Sequence, residues 1–433
     1  MKKKNSNDMQ DFRPISILPV LAKVTEGLLA DQIVDYFERE KLLHPAQSAF
    51  RANHSCSTAT IKILDDIRTS FDRSWLTIIC FLDFTKAFDS IDHKLIVIKL
   101  KRYGFCDTSI KLIMDYLKGR MQCVKIGENF SSYRNVISGV PQGSVLGPIL
   151  FTIFINDIFS VCQHVEMHAY ADDIQLYLSR PPGLLEDLCA RLNEDLSNIC
   201  KWSDMNILRL NPHKSVILPI HHSQIDTNDI PSICVGNVNL AIVHKTKNLG
   251  IVLNSKLNAV DHINYVLRNL RFSSDCLPRD TKIKLVKQLI LPFVDYFANI
   301  YCNLDSSSLH KLNVALNNCT RYVYGLNRYD RIEGRLKNLL GCDSLVTYLN
   351  IRNSILLHKI IMTNQPPYLF EKLQFCRSTR NMNIVMPLSN FLNSRRLFFI
   401  NAIKGWNSLP SSIKTMKDFG GFKLHLTQFL NNH

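Results

Sequence analysis

Apolar residues recur at helical spacing early in the chain. Glu26 to Lys41 carries them at Leu28, Leu29, Ile33, Val34 and Phe37, and Thr58 to Phe71 at Ala59, Ile63, Leu64 and Ile67, which predicts two amphipathic helices. The period then changes. Leu76-Thr-Ile-Ile-Cys-Phe-Leu82 is a near-continuous apolar run that predicts a buried strand, and Ile91 to Tyr103 returns to helical spacing. Val124 to Ile126 and Val136-Ile137 predict short strands about a turn at Gly127-Glu-Asn129. A glycine- and proline-rich loop, Gly139 to Pro148, opens into a helix predicted over Ile149 to Phe159. Two apolar runs, Met167 to Tyr170 and Ile174 to Leu178, enclose a pair of acids and predict a β-hairpin. Leu184 to Met205 is predicted helical. In Thr281 to Leu291, the residues Ile283, Val286, Leu289 and Ile290 share one helical face, and Pro292 is predicted to end the helix.

The candidate chemistry follows from where the acids fall. Asp172 and Asp173 sit at the hairpin turn, and Asp83 ends the buried strand. An Asp-Asp pair alone is more often a solvated turn. A lone acid closing a seven-residue apolar strand is not what hydrophobic patterning produces, and such local rule-breaking marks function. Three carboxylates on two strands can hold two hard cations through oxygen ligands. Two Mg²⁺ ions roughly 3.5–4 Å apart stabilise both the attacking and the leaving oxygen of an in-line phosphoryl displacement. The pattern points to nucleotidyl transfer.

Charge adds a second constraint. Of the 433 residues, 52 are Lys or Arg and 37 Asp or Glu, a net +15. The excess is local: residues 1–254 hold 28 basic and 27 acidic side chains, and residues 255–433 hold 24 and 10. A basic part of that size is the footprint of a polyanion binder, and the shift places a domain boundary near 254/255. The longest apolar stretch, Val145 to Ile155, is interrupted by Gly147 and Pro148 and is too short for a membrane span. No apolar segment follows the basic N-terminus, so no secretory signal is expected and the reading is a soluble, intracellular chain, nucleus against cytoplasm being undecided. Thirteen scattered cysteines without a Cys-x-x-Cys argue against a disulfide framework or a zinc knuckle.

The order of five motifs resembles the reverse transcriptase of non-LTR retrotransposons, of the jockey-like and chicken-repeat-like groups. They are Asp11-Phe-Arg-Pro-Ile-Ser-Ile-Leu, Gln47-Ser-Ala-Phe-Arg51, Phe81-Leu-Asp-Phe-Thr-Lys-Ala-Phe-Asp89, Gly139-Val-Pro-Gln-Gly-Ser-Val-Leu-Gly-Pro-Ile-Leu-Phe151 and Tyr170-Ala-Asp-Asp173. The resemblance implies an α/β (α+β) right-hand polymerase fold: incomplete fingers, a palm with an antiparallel sheet, a helical thumb and a C-terminal helical extension. It implies an RNA template, a DNA primer, deoxyribonucleoside triphosphates and two Mg²⁺ ions, with Mn²⁺ as a substitute. Asp83, Asp172 and Asp173 are implied as metal ligands, and Phe88 as the ring beneath the incoming sugar. Gln142 and Gly143 are implied at the templating pair, where glycine lets backbone approach closely. Arg51 is implied as the triphosphate contact through bidentate hydrogen bonds, and Lys214 as general acid to the leaving pyrophosphate.

Lys247 to Leu253 resembles the hairpin that grips the primer end. Asn248, Asn254 and Ala49 depart from residues usual in the family. Residues beyond 255 resemble thumb helices, and Asn364 to Leu369 with Ser394 to Pro410 resemble the elements' C-terminal region. With ten residues before the first motif, the expectation is an N-terminally truncated copy, a gene-model fragment or a domesticated remnant, and whether an endonuclease lies upstream stays open. An inactive nucleic-acid-binding remnant stands as the alternative to the enzyme; oligomeric state stays open.

Overall fold

The structure is a computed structural model, and it describes residues 15–222, 226–269, 277–300, 304–332, 334–376, 382–387 and 398–432. Residues 11–14 of the first motif and 394–397 near the C-terminus lie outside the described residues. The first half runs α1 (Val20–Arg39), α2 (Cys56–Asp72), β1 (Leu76–Leu82), α3 (His93–Arg102) and α4 (Asp107–Leu117). Four two-residue strands follow, β2 (Met121–Gln122), β3 (Lys125–Ile126), β4 (Asn129–Phe130) and β5 (Arg134–Asn135). Then come α5 (Leu146–Ile155), β6 (Glu166–Tyr170), β7 (Asp173–Arg180), α6 (Leu185–Met205) and β8 (Val216–Ile220). β9 (Cys234–Val235), β10 (Val238–Asn239), β11 (Ala241–Ile242), β12 (Lys245–Asn248) and β13 (Ile251–Asn254) complete the strands.

The described elements after β13 are helices: α7 (Val260–Asn269), α8 (Arg279–Leu285), α9 (Leu291–Ala298), α10 (Ser306–Tyr324), α11 (Arg335–Leu340), α12 (Leu345–Thr363), α13 (Pro367–Phe370), α14 (Phe398–Ser408), α15 (Ser411–Lys414) and α16 (Phe419–Asn432). The α+β expectation holds, with a helical C-terminal part.

The central sheet has the order β11-β8-β1-β7-β6, antiparallel except for β11 against β8. β1 lies in the middle and every residue of it is buried, which is why its sequence is continuously apolar rather than alternating. Its two faces serve different cores. Leu76, Ile78, Cys80 and Leu82 pack with α3, α5 and α6, while Ile79 and Phe81 join α2 and the C-terminal helices. Residues 255–433 therefore share an apolar core with the sheet instead of folding apart from it.

Local chemistry fixes the helix ends. Ser55 caps α2 in a capping box with Thr58, and Asp92 caps α3 through the amides of Lys94 and Leu95. Two expectations are corrected in the C-terminal helices. Pro292 does not end the helix, because a π-helical turn, Val286–Ile290, joins α8 to α9 and supplies a register in which the missing N–H is accommodated at the start of α9. The same turn rotates Leu289 off the buried face, where it is 60% exposed.

Candidate functional site: the acid end of the central sheet

Register sets the backbone of Asp83 beside the Asp172-Asp173 turn. Leu82 pairs with Ile174 on β7, so continuing the ladder by one residue sets Asp83 level with Asp173 on a neighbouring strand. Neighbouring strands lie about 4.8 Å apart, and residues directly opposite project to one face. Tyr170 pairs with Asp173, which makes Ala171-Asp172 a two-residue hairpin turn. Ala171 carries the positive φ of +56° that such a turn requires at its first position.

Gln47 braces this turn and was not singled out from sequence as a site residue. Its fully buried amide oxygen accepts from the Ala49 and Ala171 backbone N–H groups at 3.1 and 3.3 Å. Around it, Ser48 N–H donates to the Ala169 carbonyl and Ala169 N–H to the Ala46 carbonyl, both at 3.0 Å, so the 46–48 segment extends the sheet beyond β6. Below the turn, His168 bonds Ser48 Oγ at 2.9 Å, and Ser48 Oγ also meets the Tyr368 hydroxyl of α13 at 2.8 Å. Burial pushes the His168 imidazole down to about 3, so it is neutral here. A signal for Gln47 existed in its position within the Gln47-to-Arg51 motif; its partner across 124 residues was not readable.

On the other side of β1, the 209–215 segment fixes Asp83. Asn211 N–H donates to the Asp83 carbonyl at 2.8 Å, Asp83 N–H to Ser215 Oγ at 3.1 Å, and Ser215 Oγ to the Asn211 carbonyl at 2.8 Å. That turn brings Lys214 Nζ to 3.9 Å from Asp83 Oδ2. The pair is long and both side chains are over a third exposed, so it adds little stability.

The Gly139-to-Gly143 loop packs against the turn that follows Asp83. Lys86 takes a left-handed conformation, and a short 3₁₀ turn, Ala87–Asp89, presents Phe88 and Asp89. The half-buried Phe88 ring stacks on Phe151 at 4.3 Å, and Gln142 Nε2 donates to Asp89 Oδ1 at 2.7 Å. His93 Nε2–H donates to the Gly139 carbonyl at 2.8 Å. Gly139 is required: its φ is +82°, and a Cβ there would sit 2.6 Å from Asp89 Cα. Gly143, φ +98°, lies where Ser16 N–H meets the Gln142 carbonyl at 2.8 Å.

The Arg51 guanidinium, expected to contact the triphosphate, is engaged in this structure by a carboxylate of α1. Its side chain is 6% exposed and forms a fork on Glu38, Nε to Oε1 at 2.7 Å and Nη2 to Oε2 at 2.8 Å. Its Nη1 donates to the His44 and Gln47 carbonyls at 3.2 and 3.1 Å. The positive φ of +57° at Phe50 belongs to the turn that directs the arginine onto α1.

Residues 245–254 form the β12–β13 hairpin, and Tyr296 of α9 donates from its hydroxyl to the Leu249 carbonyl at the hairpin tip. Asn254 spends its amide N–H groups on Asn258 Oδ1 and Asp261 Oδ2, at 2.9 and 2.8 Å. Asn248 is buried, and Ala49 is wholly enclosed.

Among the described residues, no three acidic, histidine or cysteine side chains stand close enough together to ligate a metal ion. The donor set nevertheless fits hard cations. Asp83 Oδ2 is a buried carboxylate oxygen with no hydrogen bond, and carboxylate oxygens are the ligands such ions take.

An antiparallel sheet with acids at one end, a glycine loop beside them and a basic helical part behind defines a polymerase-type palm. Residues 1–253 match the family described as reverse transcriptase (RNA-dependent DNA polymerase), and the chain belongs to that family. It is similar to the probable RNA-directed DNA polymerase from transposon X-element of Drosophila melanogaster, 26% identical over 76% of this chain and 37% of the relative. It is also similar to the RNA-directed DNA polymerase from mobile element jockey of Drosophila funebris, 26% identical over 75% and 37%. The chain thus spans little more than a third of the length of these relatives.

Among solved structures, telomerase from Candida tropicalis in complex with a fragment of telomeric RNA has a TM-score of 0.40 at 12% identity, covering 81% of this chain and 56% of that one. The RNA-dependent RNA polymerase of a human picorbirnavirus has a TM-score of 0.41 at 11% identity, covering 73% and 55%. Members of the family generally use divalent metals, and no described helix is long and apolar enough to cross a membrane.

Proposed function

We propose that this chain is an RNA-directed DNA polymerase that adds deoxyribonucleotides to a primer 3′-hydroxyl along an RNA template, as part of a non-LTR retrotransposon protein. The observation that carries the reading is the convergence of Asp83 with the Asp172-Asp173 turn at one end of the β1–β7 pair, in a chain of the reverse transcriptase family. Asp83, Asp172 and Asp173 are the residues that would hold a pair of magnesium or manganese ions, which when bound offset charge on the reacting oxygens.

The remaining roles belong to the chain itself. Phe88, backed by Phe151, forms a rigid floor that admits a deoxyribose and crowds a 2′-hydroxyl. Gln142 and Gly143 bring backbone against the templating pair. Lys214, 57% exposed and 3.9 Å from Asp83, gives a proton to the departing pyrophosphate. The β12–β13 hairpin seats the primer end, and the basic part from 255 onward, which shares its core with the sheet, holds the duplex by phosphate contacts.

The test is extension of oligo(dT) on poly(rA) by the purified chain with Mg²⁺. Incorporation abolished by Asp172→Asn, with folding unchanged, supports the enzyme. Salt-sensitive binding without incorporation identifies the inactive remnant instead, a reading that the engagement of Arg51 by Glu38 favours.

A further inference from the structure

The segment between α4 and the Gly139 loop has no role in the site above, and its surface is unusual. It forms a narrow ribbon of two short ladders, β2 with β5 and β3 with β4. All four strands are exposed along their length, and isolated two-stranded ribbons are marginal without a covering layer. The ribbon nevertheless displays large apolar side chains: Ile126 is 69% exposed, Phe130 61%, Tyr133 64% and Ile137 83%. Lys125 and Arg134 are interleaved with them, and Lys125 Nζ lies 5.0 Å from the Phe130 ring centre. Between Lys118 and Ile137 four basic side chains face one acid, Glu128. The ribbon's base is rooted at the candidate site: Val136 N–H donates to the Arg120 carbonyl at 2.8 Å, and Ser138 Oγ to the Asp89 carbonyl at 3.1 Å.

We propose that the 120–137 ribbon is a stacking platform for the unpaired template strand as it approaches the site, an inference that rests on the polymerase reading above. Exposed rings with basic neighbours match an unpaired strand, because bases stack on ring faces while lysine and arginine neutralise the backbone. A duplex hides its base faces and leaves such rings unused. The ribbon also stems from the loop bearing Gln142, proposed above to face the templating pair, and not from the basic helices proposed to hold the duplex.

The experiment uses the full chain and an RNA-template/DNA-primer pair with a 5′ template overhang of either one nucleotide or about ten. Wild type binds the long-overhang substrate about tenfold more tightly than the short one, by fluorescence anisotropy. Phe130→Ser with Tyr133→Ser removes that difference and leaves extension on the short overhang unchanged; both rings are exposed, so the core is not disturbed. Lys125→Gln with Arg134→Gln, a second route, reduces the slope of log affinity against log salt by about 1.4 for the long overhang alone. An overhang preference retained in both double variants overturns the proposal. So does loss of self-association in the ring variant with the preference intact, which makes the ribbon a protein interface. Failure of wild type to extend either substrate defeats the polymerase reading instead, and the overhang comparison still decides the platform.

Discussion

Glu26 offers a sharp test of how the loop next to the acids is held. It sits on α1, 119 residues from the amide it serves, and is 4% exposed. Its Oε2 accepts from Val145 N–H at 2.7 Å and Leu146 N–H at 3.2 Å, at the start of α5. The accounting of that helix end closes. Val145, at the cap position, has no side-chain oxygen to offer; Ser144 Oγ accepts from Gly147 N–H at 3.0 Å; and Pro148 has no N–H. Removing the carboxylate with Glu26→Ala breaks two charge-assisted bonds, each worth about 1.5–3 kcal/mol. Val145 is exposed enough for water to replace one of them, so the net loss is about 3 kcal/mol. Glu26→Gln keeps an acceptor and loses only the charge at the helix N-terminus, about 1 kcal/mol. Read by hydrogen exchange with mass spectrometry on the peptide covering residues 145–151, Glu26→Ala speeds amide exchange about a hundredfold and Glu26→Gln about fivefold. Unchanged exchange in Glu26→Ala refutes the assignment of this carboxylate as the cap of α5.

Gly139→Ala places a methyl group inside the Asp89 backbone at positive φ; it lowers the melting temperature and raises the KM for nucleotide by displacing Gln142, and a silent variant contradicts the close approach. Arg51→Lys loses the fork on Glu38 and destabilises by about 2 kcal/mol in urea unfolding, with nucleotide KM changed by less than about twofold; the opposite split restores the phosphate role. Acid weakens the fold below pH 6.5. His168, at about 3, stays neutral in the folded chain while the unfolded imidazole charges below 6.5, so its contribution is full above pH 6.5 and is lost as pH falls toward 3. From pH 6.5 to 5 that is about 2 kcal/mol. His54 and His262, each pushed down to about 4 by burial, act in the same direction. Asp65, pushed up to about 6 by burial, acts oppositely and offsets about 1.4 kcal/mol over that interval, so a net loss is expected in urea unfolding. Equal stability at the two pH values contradicts the assignment.

The palm was legible because its signals are local. A strand buried on both faces must be continuously apolar, a hairpin between two apolar runs needs a short turn, and acids in those places have no packing reason to be there. Register then brings Asp83 beside Asp173 with no further information. What escaped depends on partners distant in sequence. Arg51 reads as a free cation until α1 supplies Glu38. Gln47 gains its purpose only against Ala171, and Glu26 only against α5. The π-helical turn at Val286–Ile290 escaped because a shift of one residue per turn leaves the apolar spacing nearly helical while turning Leu289 outward.

The central claim is that positions 83, 172 and 173 act together on divalent metal. Electron paramagnetic resonance counting of bound Mn²⁺, with template–primer and incoming nucleotide present, tests it most directly. A pair of ions per wild-type chain, with at least one lost in both Asp83→Asn and Asp172→Asn, is the predicted result. Equal Mn²⁺ occupancy in wild type and both variants contradicts it.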